Sequence, residues 1–198
     1  MYIPELGKQM PRRGNKFSKW LGRMLMRLCR WHIEGEIGKA PKLICLMGPH
    51  TSWWDFTNNL GVLLALGLDA SWFIANKYTK GVAGKILVYL GAIPVERSQR
   101  TDMVTQMASQ FIARDKLVLA IFPEGTRKPV PEWKTGFWHI AKKANVAVQL
   151  IAVDYTKRAT IFGPVITLTD DKDADIRHMR SYFKNVTAKR PEMANYSD

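Results

Sequence analysis

From Lys42 to Asp154 the chain alternates short unbroken apolar runs with longer stretches in which apolar residues recur every three or four positions. The runs predict strands at 43–47, 71–75, 92–95, 117–122 and 146–153, and the periodic stretches predict helices at 55–67, 79–90, 101–114 and 134–144. Strands alternating with helices imply an α/β fold, a central mostly parallel sheet flanked by helices. Thr160 to Leu168, broken by Gly163-Pro164, adds a late strand, and Asp170 to Val186 reads as a last helix. Its acids come first and its bases last, an order that the helix macrodipole favours without any functional reason.

Ahead of this alternation, residues 16–33 read as a basic amphipathic helix. Lys16, Lys19, Arg23, Arg27 and Arg30 follow steps of three and four along one side, and Phe17, Trp20, Leu21, Met24, Leu25, Leu28 and Trp31 form the other. Such a helix either packs its apolar face on a core or lies in the headgroup region of an anionic membrane. Residues 1–15 read as a loose basic arm. The expected organisation is a basic arm and amphipathic helix over residues 1–40, followed by one globular unit over 41–198.

A length of 198 residues, 46% of them apolar, suits one substantial core. The 30 Lys and Arg against 17 Asp and Glu leave a net charge of +13, which favours a polyanionic partner: nucleic acid, anionic lipid or a phosphorylated substrate. No apolar run reaches the roughly 18 residues that a membrane-crossing helix requires. The N-terminus lacks the compact apolar region of a secretory signal. Cys29 and Cys45 sit in apolar patterns without metal-like spacing, which indicates a reducing compartment and ordinary packing.

The run Leu43-Ile44-Cys45-Leu46-Met47 leads into Gly48-Pro49-His50-Thr51-Ser52-Trp53-Trp54-Asp55. On one helix, residues five apart point about 140° away from each other, so His50 and Asp55 meet only if the histidine stands outside the helix. A loop at the strand's C-terminal end, with Thr51 or Ser52 as the helix cap, lets Asp55 turn back from the first turn. A carboxylate on one ring nitrogen selects the tautomer and supports the imidazolium, leaving the other nitrogen to act as general base. The C-terminal edge of an open α/β sheet is also where such folds bind ligands. His32, His139 and His178 are scattered, so no metal site is expected. Taken alone, the pair is a weak signal, and a solvated or structural histidine is the favoured reading.

A second strand end carries a different chemistry. Leu117 to Phe122 runs into Pro123-Glu124-Gly125-Thr126-Arg127-Lys128, where proline stops the ladder, Gly125 frees the backbone and the cations suit a phosphate. Gly91 to Arg97 repeats the logic with a short strand ending on an arginine. The sequence contains no phosphate-binding loop of the G-x-x-x-x-G-K-[ST] kind and no G-x-G-x-x-G, which argues against a kinase or a dinucleotide enzyme.

Together these segments resemble the PlsC-like glycerolipid acyltransferases, the family that includes the 1-acylglycerol-3-phosphate acyltransferases. That family's first motif is a histidine, four residues and an aspartate, as in His50 and Asp55. Its second resembles Gly91 to Arg97, its third is matched in full by Phe122 to Arg127, and the basic residue and glycine that follow are similar to Lys134-Thr135-Gly136. The resemblance implies that His50 deprotonates an acceptor hydroxyl, which attacks the thioester of acyl-CoA or acyl carrier protein, while Asp55 orients His50. It implies that Arg97 and Arg127 hold an anionic head group, with Glu124, Gly125, Thr126 and Lys134 completing that pocket. No metal or cofactor is implied; the acyl donor is a substrate.

The expected partners are a lysophospholipid, the acyl donor and an anionic membrane surface. The expected location is cytoplasmic, peripheral on the cytoplasmic face of the membrane. Three features depart from the family pattern. Val146 to Ile151 lacks the proline of the fourth motif, Trp53 and Trp54 make the first motif bulky, and Lys128 replaces the common serine. They widen the choice of acceptor to other lysolipids, including lyso-aminolipids. A basic nucleic-acid-binding protein accounts for the charge, but offers no reason for His50, Asp55 and the Pro-Glu-Gly-Thr-Arg segment to occur together, so nucleic acid is not an expected partner.

Overall fold

Alternate residues of the run 43–47 enter two different cores, and all are buried. Leu43, Cys45 and Met47 cluster with Met26, Trp31, Val62, Ala65 and Phe162 on one side. Ile44 and Leu46 cluster with Phe111, Phe137, Leu150 and Phe183 on the other. A strand covered on both faces has no reason to interleave polar residues, and the run is unbroken for that reason.

A computed structural model describes residues 1–95 and 100–194 of the chain. Its elements are α1 (Lys16–Leu28), β1 (His32–Gly35), β2 (Lys42–Gly48), α2 (Trp53–Leu66), β3 (Ala70–Ala75), α3 (Gly81–Tyr89) and β4 (Ala92–Val95). They continue with α4 (Arg100–Ala113), β5 (Leu117–Ile121), α5 (Gly136–Ala144), β6 (Val148–Asp154), β7 (Ala159–Ile166) and α6 (Lys172–Phe183). The sheet order is β1-β7-β6-β2-β5-β3-β4. The five strands from β6 to β4 are parallel, while β7 runs antiparallel to β6 and carries β1 parallel to itself. This is the mostly parallel, helix-flanked α/β architecture that the alternating pattern predicts.

Register decides what the sheet brings together. Leu46 lies opposite Ile121 on β5 and Leu150 on β6, so β2, β5 and β6 end on one edge, and the segments that follow them emerge side by side. Gln149, on the buried β6, donates to the carbonyls of Glu36 and Gly163 and accepts from the Gly38 N–H, which satisfies a polar side chain with no exposure.

The N-terminal forty residues differ from the sequence expectation in two ways. The helix predicted over 16–33 ends at Leu28; Arg30 takes a left-handed conformation (φ 51°), and residues 32–35 join the sheet as β1. Trp31 is buried and donates its indole N–H to Thr160 Oγ1 at 2.9 Å on β7, a long-range contact that a helical continuation would break. Nor are residues 1–15 a loose arm. Leu6 and Met10 belong to the core, Arg12 bridges Leu68, the Arg13 N–H donates to Gly67 O, and the Arg13 side chain pairs with Asp69.

Packing of α1 on α2 is set by small residues: a Cβ added at Gly22 would lie 2.3 Å from the Ala65 backbone nitrogen. The contact rotates α1 so that Gly22 and Met26 are buried while Phe17, Trp20 and Leu28 are 67%, 56% and 73% exposed. The apolar face predicted as one surface is therefore divided between the core and the outside. Among the described residues no helix is long and apolar enough to cross a membrane.

Candidate active site

The site begins where β2 ends. After Gly48 and Pro49 the chain passes through His50 and Thr51 to Ser52, whose extended backbone and side-chain oxygen cap α2 by accepting from the Trp54 N–H at 3.2 Å. Asp55, the third residue of the helix, completes the reciprocal cap: its Oδ2 accepts from the backbone N–H groups of Ser52 and Thr51, both at 2.8 Å. The same oxygen lies 3.1 Å from His50 Nδ1. A residue three positions into a capped helix thus reaches one two positions ahead of the cap, which is the geometry that the five-residue spacing requires.

Asp55 has no exposed surface. An ionised carboxylate in such a place needs donors on both oxygens, and the Tyr155 hydroxyl meets Oδ1 at 2.7 Å. Burial, together with that contact to Asp55, pushes the Tyr155 phenol far above the usual tyrosine range, so the hydroxyl stays a donor. Because a carboxylate only accepts, His50 carries its proton on Nδ1, and Nε2 is the nitrogen that takes another. The His50 side chain is 20% exposed, and its ring stacks on Phe122 with centroids 4.1 Å apart and planes at 22°.

The segment after β5 closes over this loop. Glu124 is buried, and its Oε1 accepts from the His50 backbone N–H at 3.1 Å, which ties the two strand-end motifs together. Gly125 has φ +62°, and a Cβ there would meet Lys134 Nζ at 2.7 Å, so the Lys134 amine lies directly against the turn. The Lys134 backbone N–H donates to Pro123 O at 2.8 Å. The Arg127 guanidinium sits 3.8 Å from the centroid of a Trp53 ring, which is itself 70% exposed. Thr126 Oγ1 accepts from the Lys128 N–H at 3.3 Å, inside its own turn.

The structure thus brings His50, Asp55, Glu124, Gly125, Arg127 and Lys134 to one edge of the sheet, with Thr126 in the same turn. Arg97 lies outside the described residues. Trp53 and Trp54, which make the first motif bulky, are both exposed, and Trp53 is the platform for Arg127. Tyr155 escapes a motif reading because it stands 100 residues from Asp55. The available signal was positional: it directly follows the buried strand β6, as His50 follows β2 after a single intervening residue. Among the described residues no group of three or more His, Cys, Asp or Glu side chains is placed to hold a metal ion.

Comparison with known proteins gives these positions a context. The model of the family described as Acyltransferase matches residues 30–154. No curated protein matches the chain. A crystal structure of the 1-acyl-sn-glycerophosphate (LPA) acyltransferase PlsC from Thermotoga maritima is similar, with a TM-score of 0.53 over 87% of this chain and 84% of that one. At 13% identity the likeness is one of fold. The family match spans more than half of the chain and includes His50, Asp55, the segment Phe122–Arg127 and Lys134, and the chain therefore belongs to the acyltransferase family.

Proposed function

We propose that this protein transfers a fatty acyl group from a thioester, acyl-CoA or acyl carrier protein, to the hydroxyl of a lysophospholipid, with 1-acylglycerol-3-phosphate as the favoured acceptor. The observation that carries this reading is His50 Nδ1 at 3.1 Å from a fully buried Asp55, in a loop hydrogen-bonded to the segment that bears Arg127. Nε2 of His50 takes the acceptor's hydroxyl proton as the oxygen attacks the thioester carbonyl, and Asp55 stabilises the imidazolium. Collapse of the tetrahedral intermediate breaks the C–S bond, and the imidazolium returns the proton to the departing thiolate. No acyl-enzyme is needed. The likeness in fold to a 1-acyl-sn-glycerophosphate acyltransferase supports this choice of acceptor.

Arg127 and Lys134 suit a phosphate on the acceptor, and a phosphate is also carried by acyl-CoA and by the phosphopantetheine arm of a carrier protein. The test is mass spectrometry of products after the purified protein meets lysophosphatidate and an acyl thioester. Formation of the diacyl product supports the reading; no product with any lysolipid and either donor refutes it. Trp53→Ala removes the surface under Arg127 and is expected to raise KM for the anionic substrate about 2- to 5-fold with kcat little changed, the range of an exposed cation–π contact. An unchanged KM separates Trp53 from anion binding.

The reading includes docking on a membrane surface through α1. Phe17, Trp20 and Leu28 are exposed on one stripe of the helix, beside the exposed cations Lys16, Arg23 and Arg27. Gly22 packs near Ala65 and Met26 near Gly61, so α1 runs antiparallel to α2, and Leu28 lies towards the end that carries Trp53 and Trp54. Replacing Phe17, Trp20 and Leu28 together by serine is expected to weaken binding to phosphatidylglycerol-containing vesicles at least about tenfold, because each large side chain contributes its buried area. Sedimentation with vesicles reads this directly, and undiminished binding rules out α1 as the docking surface.

A further inference from the structure

We propose that Tyr155 is a positioning residue for acyl transfer: its hydroxyl holds Asp55 Oδ1, so that Oδ2 stays aimed at His50 Nδ1. The proposal rests on the reading of His50 as the base. The two oxygens of Asp55 have separate tasks. Oδ2 receives the Thr51 and Ser52 N–H groups and His50; Oδ1 receives Tyr155 at 2.7 Å. Without that hydroxyl, a charged oxygen would be buried without the donor at 2.7 Å, and the carboxylate would rotate to relieve it.

The direction of the contact is fixed by chemistry. The carboxylate only accepts, and the Asn58 amide nitrogen, at a long 3.5 Å from the Tyr155 oxygen, only donates, so the phenolic proton points to Asp55. Tyr155 is in turn held from three directions. Its ring meets Trp31 edge-on with centroids 5.0 Å apart, Lys189 Nζ lies 5.5 Å from its centroid, and its backbone N–H donates to Thr187 O at 2.9 Å. A second relay reaches the same aspartate through its backbone: Trp31 Nε1 donates to Thr160 Oγ1, Thr160 Oγ1 to Asn59 Oδ1, and Asn59 Nδ2 to Asp55 O at 2.6 Å. Tyr155 in the turn after β6 and Thr160 on β7 thereby brace the aspartate that braces the base.

The test is Tyr155→Phe in the lysolipid acylation assay, with the full chain. The variant keeps the ring that packs on Trp31 and removes only the oxygen. The expected result is a fall in kcat of about 10- to 100-fold, the range for one hydrogen bond to a charged group, with KM for both substrates within about twofold of wild type. Added to Asp55→Asn, the same change is expected to cost nothing further, because its effect passes through the carboxylate. Tyr182→Phe, which alters a half-buried tyrosine on α6, serves as the control and keeps wild-type turnover. Wild-type turnover that vanishes in His50→Ala establishes the base independently. With that in hand, a Tyr155→Phe enzyme with wild-type kcat, or a loss that adds in full to that of Asp55→Asn, overturns the role of Tyr155. A wild type without turnover overturns both readings.

Discussion

His50→Ala is expected to lower kcat for acylation of lysophosphatidate by about 10²- to 10⁴-fold, the usual contribution of a positioned general base. The fold is expected to survive. His50 stands in a loop with its side chain partly exposed, and its backbone N–H, which remains in the variant, keeps the link to Glu124. Asp55 retains the Thr51 and Ser52 N–H groups and the Tyr155 hydroxyl, so the loss of the imidazole leaves it with three donors. KM for the acceptor is expected to change little, because the substitution leaves the proposed anion site at Arg127 and Lys134 intact. Steady-state kinetics with circular dichroism checks this outcome; a variant that turns over at the wild-type rate removes His50 from the mechanism.

Asp55→Asn is expected to cost about as much in rate, for a different reason. An asparagine at this position keeps its oxygen on the Thr51 and Ser52 N–H groups, as the cap requires, and turns its amide towards Tyr155, whose oxygen then accepts. The shape of the site survives while the negative charge that supports the imidazolium is gone. The expected loss is about 10²- to 10⁴-fold in kcat, together with about 1–3 kcal/mol of stability from replacing charge-assisted hydrogen bonds by neutral ones. Kinetics and thermal unfolding on one sample separate the two effects. Near-wild-type turnover at reduced stability would make Asp55 a helix cap and nothing more.

These two residues also show how far local chemistry can be read along a chain. The strands were legible because a sheet covered on both faces selects unbroken apolar runs, and the runs at 43–47, 71–75, 92–95 and 117–122 fall on β2, β3, β4 and β5 within a residue at each end. The His50–Asp55 spacing was legible because helix geometry leaves one arrangement in which they meet. The limits of the N-terminal helix were not legible, since residues 29–33 continue its periodicity and yet belong to a turn and to β1. Pairing of β1 with β7 and burial of Trp31 outweigh the few tenths of a kcal/mol per residue that separate helix formers from the rest.

The candidate site divides along the same line. Phe122 to Arg127 is recognisable as a turn with cations, but the bond from the His50 backbone to Glu124 spans 74 positions and exists because β2 and β5 are neighbours. Likewise, Tyr155 reaches Asp55 because β6 lies on the other side of β2 and ends at the same edge. The exposed stripe on α1 follows from Gly22, which lets the helix approach α2 on one flank and so turns Trp20 and Leu28 outward. Strand runs, capping residues and the two motifs depend on steric and hydrogen-bonding rules that act within a few residues, and they are written in the sequence. The fourth donor on the buried carboxylate, the tryptophan beneath Arg127 and the outward face of α1 depend on which elements become neighbours, and only the packed sheet decides that.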